Sequence, residues 1–194
     1  DEAGIRAAWD KTPVEVRKAG RPQGLTEVKP ARVAIYQRYY GGNAEEGWMR
    51  LLLETFGFDF TSVKDADIWG GCLKDFDVLV LPSDMPAVLE GPALHPEGFM
   101  YTMSLSQPPE YRSGLGKEGA EKIREFVQGG GKLLAMEGSA DYAISTLDLP
   151  VRNIVKGMKA KDFNTHGSTL RVSVNAQHPL AYGMPEKTLI LHWN

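Results

Sequence analysis

Cysteine is nearly missing: Cys72 stands alone in 194 residues, so no disulfide closes within the chain. No apolar run approaches the roughly 20 residues that a membrane-spanning helix needs. The opening residues, Asp1 to Trp9, are polar and mixed in charge and do not read as a secretory signal. Positive charge is not in excess: the net charge is -3, and the lysines and arginines are scattered. That leaves no basic stripe for a phosphate backbone or an anionic membrane surface. Dense oxygen ligands are missing too. Asp65, Asp67, Asp75 and Asp77 alternate with apolar neighbours as in surface turns, and a calcium loop would need more. No internal repeat is present, and neither metal nor cofactor is expected.

What remains is the composition of an ordinary globular domain, 42% hydrophobic and 24% charged. The length suits one domain with a full core. Residues 1–30 are charged and broken by Pro13, Pro22 and Pro30, and read as a linker or surface arm, with a short helix around Ile5–Trp9. The domain is expected over 31–194. Both ends read as cut, since the chain stops inside the strand-like run Leu189 to His192, and a fragment of a longer protein is expected.

The ordered pattern begins with a β-branched strand at Arg32–Tyr36. A helix over Ala44–Phe56 follows, with Trp48, Leu51, Leu52 and Phe56 at helical spacing, Asn43 as N-cap, and Glu45 and Glu46 where the helix dipole favours acids. Strands are expected at Phe58–Val63 and at Phe76–Pro82. The second is almost continuously apolar, as in a strand covered on both faces. Residues 83–113 lack periodicity, which in a compact domain marks a functional or mobile loop. A helix at Gly116–Val127, a strand at Lys132–Met136 and a short helix at Ser139–Leu147 follow. Strands at Leu170–Val174, at a sheet edge, and Leu189–His192 complete the chain. Strands alternating with helices predict an α/β fold with a mostly parallel sheet. Ligands in such folds sit beyond the carboxyl ends of the strands. The candidate binding residues there are Tyr40, Asn43, Ser83, Glu137 and Ser139.

Three stretches taken in order carry a resemblance. They are Val33–Tyr36 with Tyr40–Trp48, Phe76–Ser83, and Leu149–Asn153 with His178–Pro185. Together they resemble the C-terminal class I glutamine amidotransferase-like domain of secreted bacterial zinc carboxypeptidases, from about Arg32 onward. The resemblance implies a flavodoxin-like three-layer sandwich, an upstream peptidase domain of the same polypeptide as partner, and an extracytoplasmic location. The peptidase itself is not in this sequence. A catalytic zinc needs three convergent ligands and an open position, and His95, His166, His178 and His192 show no such pairing.

Enzymes that the domain resembles carry a cysteine on a tight strand–turn–helix corner, with backbone N–H groups nearby to hold an oxyanion. In register with that pattern Gly138 falls at the nucleophile position, so the shape is expected without the sulfur. Ser139, one residue later, reads either as a nucleophile or as the N-cap of the next helix. No G-x-S-x-G surrounds it. Acyl transfer also needs a histidine with an acidic partner after the corner. His178 is followed by Pro179 and Leu180, and His95-Pro96-Glu97 lies before the corner. Glu45 and Glu46 are weak candidates for a supporting acid. Cys72 has no electropositive neighbours to activate it. Gly114 to Gly119 matches G-x-G-x-x-G but follows a loop, where a dinucleotide site needs a strand.

Three readings follow. One is a non-catalytic accessory or binding domain, touching its partner through Tyr39, Tyr40, Trp48 or the 83–113 loop. Another is a small hydrolase using Ser139 or Cys72. The last is a small-ligand module using the crevice above the sheet.

Overall fold

The computed structural model describes residues 29–39, 42–112 and 114–192. The expected arm, apart from its last two residues, and Tyr40 lie outside them. The chain divides at Ala31, and every element below belongs to the part from Arg32 on.

Four short strands make one all-parallel sheet: β1 (Val33–Tyr36), β2 (Phe60–Val63), β3 (Val78–Leu81) and β4 (Lys132–Ala135), in the order β2-β1-β3-β4. Helices flank it: α1 (Ala44–Thr55), α2 (Asp65–Trp69), α5 (Gly116–Gln128) and α6 (Gly138–Thr146). The fold is α/β, and its strand order is that of a flavodoxin-like three-layer arrangement. Register starts every strand together, Val33 lying opposite both Phe60 and Val78, and Val78 opposite Lys132. All four carboxyl ends therefore open on one side.

The β-branched and aliphatic runs of β1 and β3 fill the centre of the sheet. One face carries Ala34, Tyr36, Leu79 and Leu81 against Ile68 of α2, Ile123 of α5 and Tyr142 of α6. Ile35 and Val80, pointing the other way by strand alternation, are also buried. Fully burying each such aliphatic side chain contributes roughly 1.5–3 kcal/mol. Burial also pushes the Tyr142 hydroxyl up to about 12.

The structure gives one predicted helical face its direction and corrects one strand expectation. The apolar row of α1 is outward: Trp48 and Phe56 are 65% and 69% exposed, and Leu51 and Leu52 are exposed as well. The buried residue of this helix is Glu46, whose carboxylate pairs with Arg50 Nε at 2.7 Å and accepts from Gln37 Nε2 at 3.3 Å. Gln37, the donor of that bond, directly follows β1. The two last strands, β5 (Ser168–Ser173) and β6 (Lys187–His192), do not join the main sheet. They pair antiparallel with each other, Ser168 opposite His192. Their connection holds only a 3-10 turn at Pro179–Ala181, and without a crossover helix an antiparallel return is the accessible pairing.

The stretch over 83–113 is built of short pieces, α3 (Pro86–Glu90), α4 (Phe99–Ser104) and two 3-10 turns. Buried Asp65 anchors its end, accepting from the Tyr36 hydroxyl and, at 3.0 Å, from Gly114 N–H. Gly114 has φ 141, and a Cβ there would lie 2.1 Å from Gly91 Cα. The glycines of the G-x-G-x-x-G match thus serve a backbone contact and the start of α5. Among the described residues no helix is long and apolar enough to cross a membrane.

Burial pushes the Asp65 carboxyl up, and its hydrogen bonds to Tyr36 and Gly114 pull it back. A carboxyl that holds its proton more tightly folded than unfolded favours folding below its unfolded value, and this contribution is lost as pH rises through the folded one. Asp65→Asn should therefore fall short of the unsubstituted chain by more at about pH 4 than at about pH 7. Urea denaturation at both values measures it; an equal or smaller gap at the lower pH refutes the assignment.

Candidate functional site

The crossing from β4 to α6 makes a sharp corner at the carboxyl end of the sheet. Met136 N–H still donates to Leu81 O at 3.1 Å, continuing the ladder past β4. The next residue, Glu137, has φ 44 and ψ -115, and α6 begins at Gly138. A side chain held in that backbone region costs on the order of 1–3 kcal/mol. The strained apex is thus Glu137, not Gly138 as the sequence register suggested. Gly138 is glycine for another reason: a Cβ there would sit 2.4 Å from Asp84 O. The helix start is pressed directly against the loop after β3.

Ser139 is completely buried. Its hydroxyl donates to Pro82 O at 2.5 Å and accepts from Asp84 N–H at 3.1 Å. It lies inside α6 and caps nothing, so neither sequence reading describes it: the side chain fastens the corner to the end of β3. Its proton is committed to a backbone carbonyl, and among the described residues no general base is bonded to it.

The other predicted residues gather around the same loop. Asn43 Oδ1 accepts from Glu45 N–H at 3.0 Å and Glu46 N–H at 3.3 Å, the expected N-cap. Its Nδ2 donates to Ser83 O at 3.0 Å and Asp84 Oδ2 at 3.3 Å. Ser83 Oγ donates to Glu137 Oε2 at 2.9 Å. Asn43, Ser83, Glu137 and Ser139 therefore form one assembly. Glu45 is exposed on the first turn, and Glu46 is spent on Arg50 and Gln37.

Sequence reading missed Arg38 and Asp84. Arg38 Nε lies 2.9 Å from Asp84 Oδ2, with both side chains largely buried. Burial pushes the Asp84 carboxyl up, against Arg38, Met85 N–H and Asn43. Both residues follow a strand of the parallel sheet within three positions, in the segments where the carboxyl-end rule places ligands, but neither was singled out within them.

Beyond the apex opens a crevice of about 560 Å³, lined by Glu137, Gly138, Asp141, Asn153, Phe163 and His192 among others. Asn153 Nδ2 donates to Asp141 Oδ1 at 3.2 Å, and His192 Nδ1 shares a 2.8 Å hydrogen bond with Thr165 Oγ1. The volume lies within the range of small-molecule sites.

The remaining candidates lie apart from the corner. Cys72 is on the 3-10 turn that precedes β3, at the amino end of the strands. Burial and the nearby Asp67 and Asp75 carboxylates push its thiol up, the reverse of activation. His95 bonds to Glu90 within the 83–113 stretch, and His178 Nδ1 accepts from Leu180 N–H at 3.2 Å as the cap of a 3-10 turn.

Comparison with family models, with curated proteins and with solved structures finds no match for this chain.

The two adjacent corner residues should respond in opposite directions. Glu137→Gly removes the backbone strain and should stabilise the fold by about 1 kcal/mol despite losing the Ser83 bond. Gly138→Ala forces a carbon onto the Asp84 carbonyl and should destabilise by about 1–3 kcal/mol. Chemical denaturation of both variants decides; stabilisation by Gly138→Ala would move the apex back to that residue.

Proposed function

We propose that this chain is a non-catalytic glutamine amidotransferase-like accessory domain of a zinc carboxypeptidase-type protein, acting outside the cytoplasm by binding at the crevice beside the corner. The observation that carries the reading is the side chain at the apex. Where an amidotransferase would present sulfur, Glu137 places a carboxylate held by Ser83 Oγ at 2.9 Å. Acyl transfer needs donors aimed at the site of the developing oxyanion. A fixed negative charge there raises the energy of that oxyanion instead of lowering it.

The alternative is a hydrolase built on Ser139 or Cys72. It has less support, because the Ser139 hydroxyl is fully buried and bonded to backbone on both sides, and the Cys72 thiol is shifted away from its reactive form. The peptidase domain is the partner that this reading names. The exposed row Trp48, Leu51, Leu52 and Phe56 on α1 is apolar surface available for an interface.

Fluorophosphonate and iodoacetamide probes at neutral pH should leave Ser139 and Cys72 unmodified in the folded chain. Ser139→Ala should lower stability by about 1–3 kcal/mol, because Pro82 O and Asp84 N–H lose a buried partner. Hydrolytic turnover that disappears in that variant while the fold survives would replace this reading. Co-purification with a zinc carboxypeptidase domain of the resembled family tests the partner, and failure to associate counts against it.

A further inference from the structure

Resting on the binding reading above, we infer the chemical class of ligand that the crevice takes: a cationic group, ammonium or amidinium, carried on a compact apolar body. The charge of the lining points to it. Glu137 and Asp141 both line the cavity, and among the described residues no lysine or arginine does. Glu137 stands just before α6 and Asp141 in its first turn, so two like charges border one cavity and repel each other. A cation between them relieves that repulsion, whereas an anion would add a third like charge.

The chain's own cation at this place is Lys156. Its Nζ lies 3.7 Å from Asp141 Oδ2, with the side chain 64% exposed. An ammonium thus reaches the carboxylate from the rim but holds it loosely, since an exposed pair at this distance contributes little. A ligand cation entering the crevice competes with it only weakly. The rest of the lining fits the body of such a ligand. Val155, Met158, Phe163 and Leu191 supply apolar surface, and Asn153 supplies a polar edge. Concave sites of this size bind through an apolar wall and a few placed polar groups.

Benzamidine, benzamide and benzoate share one ring and differ in charge, which makes them suitable probes. Calorimetric titration of the full chain should show benzamidine binding at least about tenfold more tightly than benzamide, with no heat from benzoate. Amide shifts of Gly138, Asn153 and Phe163 on adding benzamidine to the unsubstituted chain should place it in the crevice without any variant. Glu137→Gln and Asp141→Asn should each weaken benzamidine by about tenfold, and Lys156→Ala should strengthen it by about twofold to threefold. The ligand class is wrong if benzamide matches benzamidine, if benzamidine does not bind, if its shifts map elsewhere, or if both carboxylate variants leave its affinity unchanged. Benzoate binding in the crevice would overturn the class and leave the binding reading standing. Turnover lost in Ser139→Ala would overturn the binding reading whatever benzamidine does.

Discussion

The site depends on the contact between the start of α6 and the three residues that leave β3. Pro82 O and Asp84 N–H meet the Ser139 hydroxyl, Ser83 O meets Asn43, and Asp84 O packs against Gly138 at a distance that admits no side chain. Each hydrogen bond contributes a net of roughly 0.5–1.5 kcal/mol. Together they are of the size needed to hold Glu137 in a backbone conformation that costs on the order of 1–3 kcal/mol. The apex is strained because its neighbours on both sides are pinned. The Ser83–Glu137 bond then follows from that placement.

Polar groups collect at this end of the sheet for a physical reason. The parallel strands end together, and the backbone leaving them lacks ladder partners that side chains must supply. Asn43 does this for two strands at once, capping α1 and reaching across to the loop after β3. Charges drawn into the same region need partners of their own, which Arg38 gives to Asp84 and Arg50 to Glu46. Breaking such a pair leaves a buried charge uncompensated, so these arginines secure the assembly more by preventing that loss than by net attraction. Glu137 and Asp141 are the acids facing the crevice without an arginine beside them among the described residues.

The fold was legible where local pattern and global burial agree. The continuous apolar run of β3 lies at the centre of the sheet, and Asn43 caps α1 as its residue type suggests. Legibility stopped where a spacing defines a face but not its direction. The spacing of Trp48, Leu51, Leu52 and Phe56 marks a helical face correctly but says nothing about what it faces. In the structure that face is exposed, while Glu46, paired with Arg50, is buried. The strands β5 and β6 were recognisable singly, but their antiparallel partnership depends on a connection that lacks a crossover helix. At the corner, glycine was read as the residue that tolerates strain. Glycine is equally the residue that permits close approach, and the sequence does not say which. Here Gly138 serves the second purpose and Glu137 bears the strain.

That division separates shape from chemistry at this site. The corner is set by backbone packing against Asp84 and by a buried serine, neither of which requires a particular side chain at the apex. Any residue that bears the strained conformation will be projected toward the crevice by the same scaffold. The fold therefore fixes where a functional group stands and leaves its identity to one position. With a carboxylate there, that position offers hydrogen-bond acceptance and negative charge, properties suited to holding a donor or a cation and poorly suited to stabilising an oxyanion.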